Sequence, residues 1–433
     1  MKTINSIIII FLISTSALFS QTTTKRVQKN YTEVDLLFDN EQYNDALSAY
    51  LAIAAYDSLN STVNFNIGIC YLKSRTEKIK AIKYFEKAIS CPNNECTEKE
   101  DRDHINAFRF LADAYHLNYQ FDAAIENYEK HKSMLSKSNE DKKMILEVNR
   151  KIEMCKVGKE LLATPLKVKI ENMGTNINSP YADYSPVLSA DENTMIYTSR
   201  RPLNTGGKLD EWGLFFEDIY ITKKTDSIWS QAFSIGSTIN TDGNEATVGI
   251  SVDGQIILIY KDDNGDGNLY TTTLEGDKWS IPKKLNDNIN TKGWEPSAFI
   301  SADGNILYFT SNREGGFGGR DIYKSNKLPN GEWAKATNLG GTINSAYDED
   351  APFIHPDGVT LYFSSNGHQT MGGFDIFSTH LNSNNDWTSP INVGYPINST
   401  EDDIYYVVAP DKDRKSTRLN SSHLDLSRMP SSA

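Results

Sequence analysis

The chain has 433 residues, 39% hydrophobic, 11% aromatic and 23% charged, an ordinary composition for two or three globular domains. A formal charge of −13 and a pI near 5.1 argue against a nucleic-acid-binding surface as its main business. Beyond the first twenty residues no stretch approaches the roughly 20 apolar residues of a membrane-spanning helix, so the mature chain is expected to carry no transmembrane segment.

The first element is a secretory signal rather than fold. Lys2 supplies a positive charge, Ile7 to Ile13 an apolar core, and Ser14 to Gln21 a small and polar end, with cleavage expected near Ser20–Gln21. The absence of cysteine before Cys70 argues against lipid attachment just after the signal. An exported chain permits disulfides, and Cys91 and Cys96 form the candidate pair, closing the CPNNEC turn. Cys70, between Ile69 and Tyr71, reads as core.

From Lys29 to about Leu162 the hydrophobic period is 3.6, which predicts helices. Three segments share a pattern. One has Ile67, Gly68 and Tyr71, then Ala81, Phe85 and Ala88; another has Leu111, Ala112 and Tyr115, then Ala124, Tyr128 and His131; the first keeps Ala46, Tyr50 and Ile53. A small residue on one helix facing an aromatic on the next lets two helices pack closely. These residues resemble the tetratricopeptide (TPR) family over about 130 residues, with an extra residue before Ala81 and a cysteine insert after Ala88 as departures. The resemblance implies a helical solenoid whose groove holds a protein partner. Residues 27–162 are assigned to it, and Ala163–Thr164–Pro165 to a linker.

After Pro165 the pattern changes to short alternating strands separated by Gly, Asn and Asp turns. Ile–Asn pairs stand at Ile177–Asn178, Ile239–Asn240, Ile289–Asn290, Ile343–Asn344 and Ile397–Asn398. Turn aspartates stand at Asp191, Asp253, Asp303, Asp357 and Asp411, and both series step by 62, 50, 54 and 54. The longer first step is assigned to an insertion around Thr205 to Glu217. Ser-x-Asp-Gly predicts a tight turn in which Asp caps the backbone and Gly takes positive φ. Ile306 to Thr310 and Leu361 to Ser364 predict strands buried on both faces, and Asp-Ile-Tyr starts the strand after each. Trp229, Trp279, Trp333 and Trp387 are expected to fill the wedge between neighbouring sheets.

The repeat resembles PD40 or WD40-like propeller units, also seen in TolB-type periplasmic proteins, and covers about 250 residues. Four complete blades and the start of a fifth are expected over residues 166–414, with Leu166 to Gly174 closing the ring by pairing into the last blade. The fold class is therefore multidomain α+β: a TPR-like solenoid followed by a propeller.

Eight residues before each turn aspartate stands an acid, Asp183, Glu245, Glu295, Glu349 or Asp403. Such acids either line one channel end to bind a cation or basic peptide, or cap strands; capping is the favoured reading. Asp262, Asn264 and Asp266 match the front of a calcium loop, but Thr273 replaces its closing Glu, and a plain hairpin is favoured. Gly315 to Gly319 lacks the Lys-Ser/Thr of a phosphate cradle and reads as a hairpin tip. No catalytic residue and no cofactor is expected.

Lys415 to Ala433 breaks the repeat where a buried strand should run. It resembles translated vector sequence and reads as an artefactual tail. Signal, TPR-like array and PD40-like propeller in this order resemble the large OmpA-family proteins of Bacteroidetes. That resemblance implies a non-enzymatic, outer-membrane-associated periplasmic scaffold, in some members serving type IX secretion, with peptidoglycan gripped by a C-terminal domain this chain lacks. The rival expectation is a carbohydrate-binding or hydrolytic propeller acting at the channel mouth.

Overall fold

A computed structural model describes residues 32–408 apart from 75–76, 91–97, 190, 211–212 and 263–266. The signal, the Cys91–Cys96 pair, Asn264 and Asp266 of the calcium candidate, Asp411 and the tail from Lys415 therefore lie outside the described residues. The chain divides into two compact units between Cys155 and Lys156.

The first unit is helical. Helix α1 covers residues 32–39, and α2 (Tyr43–Ala54), α3 (Ser61–Leu72), α4 (Ala81–Ile89), α5 (Glu98–Leu117), α6 (Phe121–Met134) and α7 (Asn139–Ala163) follow, each of α2 to α5 packing on the next. Asn60 caps α3, its side chain accepting from Val63 N–H at 3.0 Å. A short 3₁₀ turn, Lys78–Lys80, precedes α4 and absorbs the extra residue noted before Ala81.

The small-to-aromatic pairing has a concrete form. A Cβ on Gly68 would stand 2.5 Å from the Phe85 ring, and Gly68 and Phe85 are both fully enclosed. At the aromatic position of the flanking segments stand Tyr50 and Tyr128, and each hydroxyl finds an aspartate: Asp35 at 2.6 Å and Asp113 at 2.5 Å. In the middle segment Cys70 and Phe85 replace that polar pair with an apolar one, and burial pushes the Cys70 thiol up to about 12. Among the described residues no helix is long and apolar enough to cross a membrane.

The second unit is a β-propeller of four antiparallel sheets, each built in chain order. Blade one holds β1 (Asp183–Leu188), β2 (Thr194–Ser199), β3 (Asp218–Thr225), and the short β4 (Ile228–Trp229) and β5 (Phe233–Ser234). Blade two holds β6 (Glu245–Ile250), β7 (Ile256–Lys261), β8 (Asn268–Glu275), β9 (Lys278–Trp279) and β10 (Lys283–Lys284). Blade three holds β11 (Ala298–Ile300), β12 (Ile306–Ser311), β13 (Asp321–Asn326) and β14 (Thr337–Asn338). Blade four holds β15 (Glu349–Ile354), β16 (Thr360–Ser365), β17 (Asp375–His380) and β18 (Ile391–Asn392).

The first strand of each later blade packs against the sheet before it. Apolar clusters sit in the wedges between sheets. Trp279 packs in the cluster shared by blades one and two, Trp333 in that of blades two and three, and Trp387 in that of blades three and four. Trp229 packs with Met195 and Tyr197 of blade one and with Met173 and Ile177 of the segment ahead of it. The turn aspartates also hold their turns as expected: Asp303 accepts from Ser301 Oγ at 2.5 Å and Asn305 N–H at 3.1 Å, and Gly304 follows at φ 74°. In blade one Glu192 occupies that glycine position at φ 56°.

One expectation needs correction. Leu166 to Gly174 is not a strand and enters no sheet ladder among the described residues; its anchor to blade four is Leu166 N–H on Tyr395 O at 2.8 Å. Isolated from a ladder partner, an extended segment has no row of backbone hydrogen bonds to define it. The Gly315 to Gly319 stretch joins β12 to β13 as the expected hairpin tip, and its backbone has a further role. The insertion after blade one's second strand folds back on that blade, where Arg200 pairs with Asp210 at 2.5 Å and donates from Nε to Phe215 O at 2.7 Å.

Candidate functional site

The centre of the propeller is built from the inner strands β1, β6, β11 and β15 and from the segment Asp403–Val408. Strands β1, β6 and β15 start at a periodic acid and β11 three residues after one, and the structure shows what those acids do. Glu295 accepts from Thr291 N–H at 3.1 Å, Thr291 Oγ1 at 2.9 Å and Ser311 Oγ at 2.6 Å, with Arg313 Nη2 at 3.3 Å. Glu349 takes the same bonds from Ser345 and Ser365. Asp183 takes them from Ser179 and Ser199, with Arg201 at 3.1 Å. Glu245 is held by Thr241 and by Lys261 at 3.0 Å, and Asp403 by Ser399 N–H at 2.5 Å. Asp183, Glu245, Glu295 and Glu349 are strand caps tying the link into a blade to that blade's second strand, and Asp403 holds its own link.

A second device went unread in the sequence. The asparagine of four of the five Ile–Asn pairs clasps one residue of the preceding blade's third strand, accepting its N–H and donating to its C=O. Asn240 holds Ile219 at 2.9 and 3.0 Å, Asn290 holds Leu269 at 2.8 and 3.0 Å, Asn344 holds Ile322 at 2.8 and 3.0 Å, and Asn398 holds Ile376 at 2.8 and 2.9 Å. The clasped residue always follows the Asp or Asn that opens the strand. The coincidence of two periodic motifs in phase was the available signal; their contact was not.

The opening aspartates have their own role. Asp321 accepts from Phe317 N–H at 2.7 Å and Gly318 N–H at 3.2 Å, and Asn338 Nδ2 at 2.7 Å. Asp375 accepts from Met371 N–H at 2.8 Å, Gly372 N–H at 3.1 Å and Asn392 Nδ2 at 2.7 Å. The glycine-rich loops are thus backbone anion nests, each filled by the protein's own carboxylate. Their glycines are required by close approach: a Cβ on Gly318 would stand 2.1 Å from Tyr347 O. Burial pushes Asp375 up to about 7 against the pull of these donors.

One group on the axis has no equivalent in the other blades. Arg320 stands immediately before Asp321, where the other blades have Glu217, Gly267 and Phe374. Its Nη1 lies 2.8 Å from Asp350 Oδ2, and its guanidinium lies 5.1 Å from the Trp294 ring and 5.5 Å from the Phe374 ring. Asp350 is held further by Ser297 Oγ. Tyr405 reaches the same place from a left-handed backbone position, φ 64°, and stacks on Tyr184 at 6.3 Å. Burial pushes its hydroxyl up, as do Asp350 and Glu217, while Arg320 pulls it down. Ser185 and Ala351, each two residues after its own blade's acid like Tyr405, share its left-handed conformation at φ 51° and 47°. The centre holds Arg320 against two carboxylates, Asp350 at 2.8 Å and Asp348 at 3.5 Å, packed among aromatic rings.

A separate cleft of about 200 Å³ lies between blades two and three, lined by Lys283, Lys284, Lys327, Glu332 and Trp333. Among the described residues no group of three or more His, Cys, Asp or Glu side chains is arranged to hold a metal. Asp262 of the calcium candidate is described, and its N–H donates to Asn244 O at 3.4 Å.

No family model matches the chain. No curated protein matches it. Among solved structures, TolB from Acinetobacter baumannii aligns at 16% identity over 55% of this chain and 48% of that one, with a TM-score of 0.37. An alpha-L-arabinofuranosidase from Lactobacillus brevis aligns at 11% identity over 55% and 84%, TM-score 0.35. Kuenenia stuttgartiensis hydrazine synthase aligns at 11% over 52% and 53%, TM-score 0.31. The chain thus spans about half the length of the TolB it aligns with. The propeller assignment stands on the chain's own strand pairing.

Proposed function

We propose that this chain is a non-enzymatic scaffold of the bacterial envelope, exported to the periplasm and associated with the outer membrane, whose helical unit and propeller each offer surfaces to protein partners. The observation that carries the reading is the fate of the carboxylates. Every periodic acid at the propeller centre is engaged by backbone N–H groups, hydroxyls or a cation within its own repeat. A hydrolase needs a pair of carboxyls free to give and take protons, and a binding pocket needs room. Here the Arg320–Asp350 pair and Tyr405 stand together at the axis. The TPR-like helices supply a surface of the kind that holds peptides or neighbouring proteins. Type IX secretion or a peptidoglycan-anchored assembly is the setting that the order of units suggests.

The test combines two readouts. A benzophenone side chain placed at Tyr56, which is 92% exposed, is expected to crosslink a protein partner in envelope preparations. Titration with muropeptides and oligosaccharides is expected to show neither binding nor turnover. Saccharide turnover abolished by Glu349→Gln would overturn the scaffold reading in favour of the hydrolytic one.

A further inference from the structure

Asn178 belongs to the clasp series, yet it stands ahead of the first blade. Its Nδ2 donates to Asn172 Oδ1 at 2.8 Å, as Asn344 donates to Asn338 and Asn398 to Asn392. Its N–H closes on Gly174 O at 2.9 Å, as Asn344 closes on Gly340 and Asn398 on Gly394. The clasp is therefore formed in the same shape as those that are occupied. Its Oδ1 is shut off from solvent and meets no donor among the described residues. In the four other copies that atom takes the N–H of a third strand.

The neighbouring segments take matching places. Asn338 and Asn392 end the outermost strands β14 and β18, so Asn172 stands where an outermost strand would end. Leu166 N–H reaches Tyr395 O, in the link that leads out of blade four. Blade three shows the equivalent contact, with Asn286 and Asn288 in the link into that blade donating to Trp333 O at 2.9 and 2.8 Å. On the inner side, Tyr406 and Val408 are buried against Phe353 and Ile376 of blade four, while Tyr405 stacks on Tyr184 of blade one. Ile170, in the outer segment, is left 63% exposed.

We propose that Asp403–Val408 and Leu166–Asn178 are the inner and outer parts of one split fifth blade, and that the place between them accepts a β-hairpin of the same repeat. The second strand of that hairpin opens with Asp-Ile-Tyr or Asp-Ile-Phe. Its Ile presents N–H and C=O to Asn178, and the residue after it pairs with Asn172, as Phe377 pairs with Asn392. Recognition is strand addition: backbone bonds supply the attraction, and the asparagine clasp sets the register.

The probe is a synthetic peptide with the sequence of Thr360–His380, added to the full chain and read by hydrogen exchange. It is expected to raise protection of the Ile170–Asn172 amides at least tenfold. The same peptide N-methylated at Ile376 is expected to give no protection. In blade four that N–H points to Asn398 and not into the β16–β17 ladder, so methylation spares the hairpin itself. Asn178→Leu in the chain should weaken binding of the parent peptide at least tenfold. Equal protection by both peptides, none by the parent, or amides already protected without peptide would each overturn the proposal.

Discussion

Gly68 lies so close to Phe85 that a single added carbon would stand 2.5 Å from the ring's Cε1. Two helices are held together by the absence of a side chain on one and the flat face of an aromatic on the other. Phe65 and Phe110 complete the group, at ring separations of 6.0 and 5.9 Å from Phe85.

Gly68→Ala should therefore destabilise the helical unit despite the higher helix propensity of alanine. Overpacking of this kind costs about 1–3 kcal/mol, against a propensity gain of about 1 kcal/mol. Urea denaturation followed by circular dichroism at the helical band should show a lower midpoint; an unchanged or raised midpoint would mean that α3 and α4 can move apart freely.

The clasp makes a second prediction. Asn344→Ala leaves the buried N–H of Ile322 without its partner, while its C=O keeps the bond from Leu339 N–H, and one unsatisfied group costs about 1–3 kcal/mol. Propeller unfolding, followed by tryptophan fluorescence, should shift by about 1–3 kcal/mol. A surface asparagine such as Asn384 changed to alanine should shift it far less.

Glu192 offers a change in the opposite direction. It holds φ 56° in a turn whose counterparts are Gly254, Gly304 and Gly358. Glu192→Gly relieves a left-handed strain of about 1 kcal/mol, reduced by the extra freedom glycine has when unfolded. The expected result is a small gain, about 0.5 kcal/mol, in thermal or urea unfolding.

Asp375 carries the pH prediction. Its carboxyl is raised to about 7, so between the ordinary carboxylate range and pH 7 the folded state binds a proton that the unfolded state has released. Its contribution to stability is complete at low pH and is lost as pH rises through about 7. Asp191, Asp253 and Asp303, lowered first by their serine hydroxyls, work the other way and lose their contribution as pH falls. A carbon-detected titration should place the Asp375 midpoint near 7; a midpoint near 4 would show that its three donors outweigh burial.

Repetition made much of the propeller legible in the amino-acid order alone. Turn aspartates, paired apolar strands and blade-end tryptophans recur in phase because each blade must solve the same local problem, and local problems have local residue solutions. The helical half was readable for the same reason, through Gly68, Ala112 and the aromatics at Phe85 and Tyr128. Tertiary structure alone decided where the polar side chains go. Asn344 finds its partner in a strand of the preceding blade, Asp321 fills the nest its own loop makes, and Arg320 meets Asp350, Trp294 and Phe374 across the axis. A polar group's partner is whichever backbone or charge passes within about 3 Å, and that depends on how separate sheets stack around a centre, which no period along the chain encodes.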